Sequence, residues 1–187
     1  GKLIYLMGPS GSGKDSLIKA AREPLRALNC EIMRRVITRS AESLGEDAIG
    51  VTPEEFERRE QVGDFSLAWR ANGLAYGIPV EMNQLLRAGR HVLVNGSRAN
   101  LRHAMERYPA LLPVLLTVRD GVLRERLLKR GRETPEQIDA RLARNALFKD
   151  RRSSDGPVHL VDNSGDLTEA VNAILRLIRL SVKPDQI

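Results

Sequence analysis

Gly8-Pro9-Ser10-Gly11-Ser12-Gly13-Lys14 is the stretch that decides the fold, because it fits the phosphate-binding pattern G-x-x-x-x-G-K. An apolar run from Leu3 to Met7 precedes it, and a helical pattern follows from Ser16. The glycines let consecutive backbone N–H groups surround an anion, and the amino end of the following helix adds a favourable dipole. The stretch therefore predicts a P-loop that binds a nucleoside triphosphate, with Lys14 reaching the outer phosphates.

The residue after Lys14 departs from the pattern, which calls for Ser or Thr where this chain has Asp15. P-loop enzymes hold Mg²⁺ with the loop hydroxyl and an Asp at a strand end, and the comparable strand here ends in the neutral Asn95. Our hypothesis is that Asp15 is a displaced carboxylate ligand of Mg²⁺, beside Ser16. The alternative is that Asp15 caps the first helical turn and Ser16 serves the metal.

The charge balance is basic, with 30 Lys and Arg against 24 Asp and Glu. Aromatic residues make up 4% of the chain, which leaves few platforms on which bases of a single strand could stack. We therefore expect phosphorylated small molecules rather than nucleic acid as partners. The apolar runs are too short to span a membrane, and the first of them leads directly into the P-loop rather than forming a signal peptide. The chain has one cysteine, Cys30, which fits a reducing cytoplasm. The sequence carries no indication of oligomeric state.

Strand and helix patterns alternate along the chain, which predicts a single α/β domain over residues 1–187 with a parallel sheet flanked by helices. Extended segments are expected at 31–38, 91–95, 111–118 and 158–161. Helices are expected to begin at Thr52, Thr134 and Asp166, where capping residues stand. Pro24 is expected to kink or end the first helix. An apolar stripe at helical spacing marks the last helix as a core element.

Two segments fit this core poorly and are interpreted as excursions that close over ligands. The first, about 34–88, is long, polar and rich in glycine, and it is predicted to be an acceptor-binding flap. The second, about 124–152, is predicted to be a lid. The lid is crowded with guanidinium groups that could clamp a triphosphate or form a solvated face paired with glutamates, namely Arg126, Arg130, Arg132, Arg141 and Arg144.

The order of several motifs resembles that of guanylate kinases. After the P-loop come Thr38-Arg39, Val51–Phe56, Gly63–Phe65 and Tyr76-Gly77, and Leu127–Arg132 with Arg141 resembles their lid. The resemblance runs from about residue 3 to 171 and implies a guanylate kinase-like fold with an ATP site.

The guanine site is where the resemblance fails. The second Arg that guanylate kinases have after Arg39 is missing, their guanine-reading carboxylate falls near Leu67, and their acidic pair falls on Asn95 and Ser97. A pocket without those groups has no reason to select guanine. We therefore expect an acceptor that carries phosphate and needs no base.

Longer stretches are similar to a narrower group, the ribose 1,5-bisphosphate phosphokinases of bacterial phosphonate breakdown. They are residues 13–16, 37–39, 71–77, 92–98 and 138–144. This resemblance implies transfer of the γ-phosphoryl group of ATP to the anomeric phosphate of ribose 1,5-bisphosphate, giving 5-phosphoribosyl 1-diphosphate. The alternatives are a nucleoside monophosphate kinase with altered base choice and a non-catalytic guanylate-kinase-like binding module.

Roles can be assigned to the matching residues. Lys14 and the loop amides are expected at the β- and γ-phosphates, and Arg130, Arg141 and Arg144 on the transferring group. Arg126 and Arg132 are expected at the ATP end, and Asn163 beside the adenine. The candidates for the sugar bisphosphate are Thr38, Arg39, Tyr76, Asn95, Ser97 and Arg98. Tyr76 could instead be a half-buried packing residue beside a turn glycine.

Overall fold

The helices and strands follow the alternating pattern of the sequence. The computed structural model describes residues 1–39, 47–149 and 157–182, apart from the side chains of residues 144 and 146–149. The strands in these ranges are β1 (Leu3–Met7), β2 (Cys30–Met33), β3 (Val36–Ile37), β4 (Ile49–Gly50), β5 (Phe65–Ala71), β6 (Leu74–Pro79), β7 (His91–Asn95), β8 (Leu112–Thr117) and β9 (His159–Asp162). The α-helices are α1 (Lys14–Ala27), α2 (Pro53–Gln61), α3 (Glu81–Arg87), α4 (Leu101–Arg107), α5 (Asp120–Arg130), α6 (Pro135–Lys149) and α7 (Leu167–Val182).

The main sheet consists of five strands in the spatial order β2-β7-β1-β8-β9. Neighbouring strands are parallel throughout, which confirms the predicted α/β fold. Because parallel strands all end at one edge of a sheet, the loops after β1, β7, β8 and β9 meet at that edge. This edge carries the P-loop, the residues after Asn95, and Asn163.

Both faces of the main sheet are covered, as is usual for parallel sheets. Alternate residues of β1 point to opposite faces. Ile4 and Leu6 pack with α1 and α7, and the apolar stripe predicted for the last helix lies buried in this cluster. Leu3, Tyr5 and Met7 pack on the other face with residues of α3, α4 and the second sheet. None of the helices in the described ranges is long and apolar enough to cross a bilayer.

The second sheet, here called the flap sheet, has the order β4-β3-β6-β5 and lies within the segment predicted to be the acceptor-binding flap. The pair β3–β4 is parallel, whereas β3–β6 and β5–β6 are antiparallel. Trp69 of β5 faces Tyr76 of β6 in the register. Helix α2 begins as expected after Thr52, whose hydroxyl accepts the N–H of Glu55 at 3.2 Å.

The helices α5 and α6 pack against each other and form the pair that we call the lid. Thr134 and Gln137 cap α6 reciprocally, because each accepts the backbone N–H of the other, at 2.9 Å and 3.3 Å. Arg124 of α5 donates to Asp139 of α6 at 2.9 Å, and this guanidinium lowers the pKa of the Asp139 carboxyl. The pair also has a small core of its own, formed by Val118, Leu123, Leu127 and Ile138.

The structure corrects two local expectations in part. Pro24 does not end the first helix, because α1 continues to Ala27. The proline stands in the last turn, where losing one N–H does not divide the helix. The extended segment 31–38 is two strands that belong to different sheets, β2 and β3, with Arg34 and Arg35 between them. The capping predictions at Thr134 and Asp166 agree with the observed starts of α6 and α7.

Candidate active site

The P-loop depends on a glycine at its junction with α1. Gly13 is the N-cap of α1 and has a φ of 85°, which is left-handed. A Cβ at this position would lie 2.6 Å from Nδ2 of Asn163. Both the backbone conformation and the space therefore require glycine here.

The side-chain ammonium group of Lys14 lies at the P-loop. Its Nζ donates to the carbonyl oxygen of Gly8 at 2.7 Å and lies 3.3 Å from that of Pro9. The loop thus curls around the ammonium group, and the Lys14 side chain also lines the large cavity at this edge of the sheet. An ammonium in this position can reach phosphate oxygens that enter the loop.

Two side chains from distant parts of the chain support the P-loop from outside. The buried Asn163, which follows β9, donates through Nδ2 to the carbonyl oxygen of Ser12 at 2.7 Å. Arg126 of the lid reaches the same oxygen through Nη1 at 3.5 Å. The predicted place of Asn163 beside the adenine remains a prediction, and the structure adds a contact that holds the loop in shape.

A single large cavity of about 1380 Å³ runs along the P-loop to the flap sheet. Cavities for one small ligand are roughly 300–1,000 Å³, so this volume suits a donor and an acceptor together. Among the described residues, every charged side chain on its wall is basic except Asp15. Such a wall is suited to ligands that carry several phosphates.

Most of the predicted site residues meet in this cavity. They are Gly8, Pro9, Ser10, Gly11, Ser12, Gly13, Lys14, Asp15, Ser16, Arg39, Tyr76, Asn95, Ser97, Arg98, Arg126, Arg130, Arg132, Arg141 and Asn163. Thr38 is not on the cavity wall, because its hydroxyl accepts the N–H of Ala75 at 2.9 Å and ties β3 to β6. The backbone of Arg144 lies in α6, but its side chain is outside the described part of the structure.

The lid presents its guanidinium groups to the cavity from one side. Arg126 and Arg130 are one helical turn apart on α5, and both line the cavity. Arg141 of α6 donates through Nη2 to Glu133 at 2.6 Å. This contact orients the Arg141 side chain from the loop between the two lid helices, while the side chain still borders the cavity.

The flap sheet contributes an aromatic wall on the opposite side. The rings of Trp69 and Tyr76 are stacked at 5.4 Å with an interplanar angle of 7°. The guanidinium carbon of Arg35 lies 4.7 Å from the centroid of the Tyr76 ring, and its Nη1 donates to the carbonyl oxygen of Asn95 at 3.3 Å. The sequence interpretation missed Arg35 and Trp69. The signal for Arg35 was a pair of arginines inside an otherwise extended segment.

The turn after β7 packs on the buried side chain of Tyr5. The hydroxyl of Tyr5 accepts the backbone N–H of Ser97 at 3.0 Å and lies 3.1 Å from its carbonyl oxygen. A Cβ on Gly96 would lie 2.3 Å from the Tyr5 ring, so the turn packs directly on the aromatic face. Burial raises the pKa of the Tyr5 hydroxyl, so it stays protonated. The turn presents Ser97 and Arg98 to the cavity, and Arg98 also donates to Asn145 of α6 at 3.4 Å.

Comparison with known proteins agrees with this arrangement. A family model described as an AAA domain matches residues 4–146. A ribose 1,5-bisphosphate phosphokinase PhnN from Pseudomonas paraeruginosa is 60% identical over 175 residues, which is 94% of each chain. The protein of that name from Azotobacter vinelandii is 58% identical and covers 96% of each chain. The chain belongs to the ribose 1,5-bisphosphate phosphokinase family.

A solved structure shares the fold of this phosphokinase family member. A guanylate kinase from Anaplasma phagocytophilum superposes with a TM-score of 0.70 over 99% of this chain and 88% of its own, at 17% identity. At that identity the likeness establishes the fold alone. It confirms the guanylate kinase-like architecture predicted from the motif order.

The position at which guanylate kinases were expected to read guanine is apolar in this phosphokinase family member. Leu67 is 1% exposed and packs in the core beneath the flap sheet. It offers neither charge nor a hydrogen bond to a base. The described flap residues that line the cavity include Trp69, Tyr76 and Arg35, and none of them is a carboxylate.

The donor set near the P-loop fits a magnesium ion. Asp15 stands in the first turn of α1, and its carboxylate and the side chain of Ser16 both border the large cavity. The described residues contain no group of three or more His, Cys, Asp or Glu side chains that could enclose a metal ion. Magnesium is usually bound by one or two carboxylates together with substrate phosphates and water rather than by a protein cage.

Proposed function

We propose that the protein transfers the γ-phosphoryl group of ATP to the anomeric phosphate of ribose 1,5-bisphosphate, giving 5-phosphoribosyl 1-diphosphate and ADP. The observation that carries this proposal is the large cavity that is lined both by the P-loop and by Arg35 and Arg39 of the flap. A wall with basic and aromatic groups but no base-reading carboxylate supports a sugar phosphate as acceptor. Membership of the family supports the same reaction.

The chemistry needs little from a general base. An oxygen of the anomeric phosphate is already anionic and can attack the γ-phosphorus directly. The new bond joins that oxygen to the γ-phosphorus, while the bond from phosphorus to the bridging β–γ oxygen breaks and ADP leaves. The protein's task is therefore to align the two ligands and to stabilise negative charge.

The basic side chains that line the cavity would each have a separate role in this task. Lys14 and the loop amides would bind the β- and γ-phosphates, and Arg130 and Arg141 would stabilise the transferring group from the lid. Arg39 and Arg98 would hold the acceptor phosphate in line with the donor. The lid would also exclude water, which would otherwise compete for the phosphoryl group.

Asp15 and Ser16 are the residues that would hold Mg²⁺. Bound there, the ion would neutralise charge on the β- and γ-phosphate oxygens. The carboxylate at position 15 would supply the negative ligand that other P-loop enzymes draw from a strand-end Asp, since Asn95 is neutral. We place the reaction in the cytoplasm, in line with the single cysteine of the chain, Cys30, which is buried and free.

A comparison of acceptors tests the proposal. ADP release would be measured with ribose 1,5-bisphosphate, GMP, AMP and dTMP at equal concentrations, with an acceptor-free reaction as the control for ATP hydrolysis. We expect kcat/KM to be largest for ribose 1,5-bisphosphate by at least about a hundredfold, since polar groups left unpaired by a wrong ligand discriminate by about 10⁴-fold or more. A preference for any of the nucleotides would show a nucleoside monophosphate kinase instead. A failure of the protein to bind ATP would point to a binding module.

A further inference from the structure

A second, smaller cavity of about 350 Å³ opens beside the large one. Asp15, Arg35 and Asn95 border both cavities, so the two share a wall. The smaller cavity lies between α1 and β2, and its apolar side is formed by Ile18 and other residues of these elements. The P-loop residues 8–14 line the large cavity and not the smaller one.

The smaller cavity carries a surplus of positive charge. Its basic side chains are Lys19, Arg22 and Arg35, against the two carboxylates of Asp15 and Asp47. Its acidic residue opposite α1, Asp47, is already matched, because one carboxylate oxygen accepts from Arg22 at 2.8 Å and the other lies 2.7 Å from Nε of Arg34. The carboxylate of Asp47 is thus neutralised by the guanidinium groups of Arg22 and Arg34.

Arg35 stands at the boundary between the cavities in a fixed orientation. Its guanidinium lies over the Tyr76 ring at 4.7 Å, and its Nη1 donates to the carbonyl oxygen of Asn95 at 3.3 Å. Tyr76 is itself backed by Trp69. A guanidinium is a planar set of donors that matches the geometry of phosphate oxygens, and the Tyr76 ring and the Asn95 carbonyl oxygen hold this one in place.

We propose that the smaller cavity is an anion subsite for the phosphate at the far end of the acceptor, and that Arg35 determines specificity for that phosphate. This inference rests on the proposed function and extends it. The acceptor has two phosphates, and the one that reacts must face the P-loop in the large cavity. The other end of the sugar must lie away from the donor. From the wall that the two cavities share at Arg35, basic side chains extend into the smaller cavity.

Two variants and two acceptors test the proposal. Arg35→Gln removes the charge while keeping a polar side chain. Arg26→Gln is the matched control, because Arg26 is an exposed arginine of α1 that pairs only locally, with Glu23 at 2.7 Å. The acceptors are ribose 1,5-bisphosphate and ribose 1-phosphate, which lacks the far phosphate.

We expect Arg35→Gln to raise the KM for ribose 1,5-bisphosphate by about ten- to a hundredfold, the effect of losing a charge-assisted hydrogen bond. The KM for ATP should stay unchanged, and the weak reaction of ribose 1-phosphate should be no weaker than in the wild type. Arg26→Gln should match the wild type with both acceptors. An equal loss with both acceptors would overturn the proposal, since Arg35 would then act on the shared part of the ligand. If Arg35→Gln does not fold, Arg35→Lys is used, and it should raise the KM severalfold for the bisphosphate alone.

Calorimetric titration with ribose 5-phosphate separates this inference from the proposed function. We expect the wild type to bind this probe and Arg35→Gln to bind it about tenfold or more weakly. If the enzyme fails to use ribose 1,5-bisphosphate but binds the probe through Arg35, the proposed function fails and the subsite stands. If the wild type does not bind the probe, the subsite is refuted whatever the activity.

Discussion

Replacing Gly13 with alanine adds one methyl group at the junction of the P-loop and α1. At a φ of 85°, the left-handed backbone costs an L-residue about 1–2 kcal/mol. The new Cβ would lie 2.6 Å from Nδ2 of Asn163, which is too close for van der Waals contact. That nitrogen is the donor to Ser12, so the Asn163 amide must move and this hydrogen bond is lost.

The size of the effect follows from a comparison with Gly89→Ala. Gly89 has a φ of 79° and no heavy atom within 4 Å of the added Cβ, so this variant carries the backbone cost alone. Losing the hydrogen bond to Ser12 adds about 1 kcal/mol in Gly13→Ala. For a domain of this size we expect the Tm of Gly13→Ala to lie about 2–4 °C below that of Gly89→Ala.

Thermal unfolding of both variants, together with the KM for ATP, checks this reasoning. Since the displaced loop amides are expected to bind phosphate, Gly13→Ala should raise the KM for ATP about tenfold or more, while Gly89→Ala should leave it unchanged. Equal values of Tm and of KM for the two variants would refute the assigned contact between Asn163 and the loop.

Three further predictions concern single side chains. Lys14→Ala should lower kcat by about a hundredfold or more without unfolding the protein, because a charge at the transferring group is lost; Lys2→Ala, at the far end of β1, should not. Tyr5→Phe leaves Ser97 without its partner and should destabilise the fold by about 1–3 kcal/mol, which thermal unfolding measures; it should also raise the KM for the acceptor but not for ATP. Burial, and then the positive charges of the amino terminus and Lys2, lower the pKa of His91, whose Nδ1 accepts the N–H of Lys2 at 3.0 Å. The neutral ring therefore stabilises the fold above its ordinary pKa of about 6.5, and this contribution is lost as pH falls through the lower folded pKa. His91→Asn should flatten the pH dependence of the unfolding free energy in that window, and an unchanged slope would contradict the assignment.

Local patterns in the sequence were sufficient to predict the helices and strands that surround the active site. The strand, P-loop and helix around Lys14 follow from spacing, and the caps at Thr52 and Thr134 follow from side chains that bond within three residues. The order of motifs, by resemblance, predicted the kinase fold. These features depend on neighbours in the chain, which a sequence displays directly.

Contacts between distant residues could not be predicted in this way. Asn163 reaches Ser12 across most of the chain, and Tyr5 reaches Ser97. Both contacts exist because parallel strands bring their ends to one edge, and no local pattern shows which side chain lies opposite which loop. Arg35 was missed because its place depends on the division of one extended segment between two sheets.

Phosphorus NMR of the reaction of ATP with ribose 1,5-bisphosphate tests the central claim most directly. The resonance of the anomeric phosphate should be replaced by a coupled pair from a diphosphate at the same carbon, in step with the formation of ADP. The signal of the far phosphate should stay that of a monoester. ADP formed with only free phosphate, or with the anomeric signal unchanged, would contradict the account.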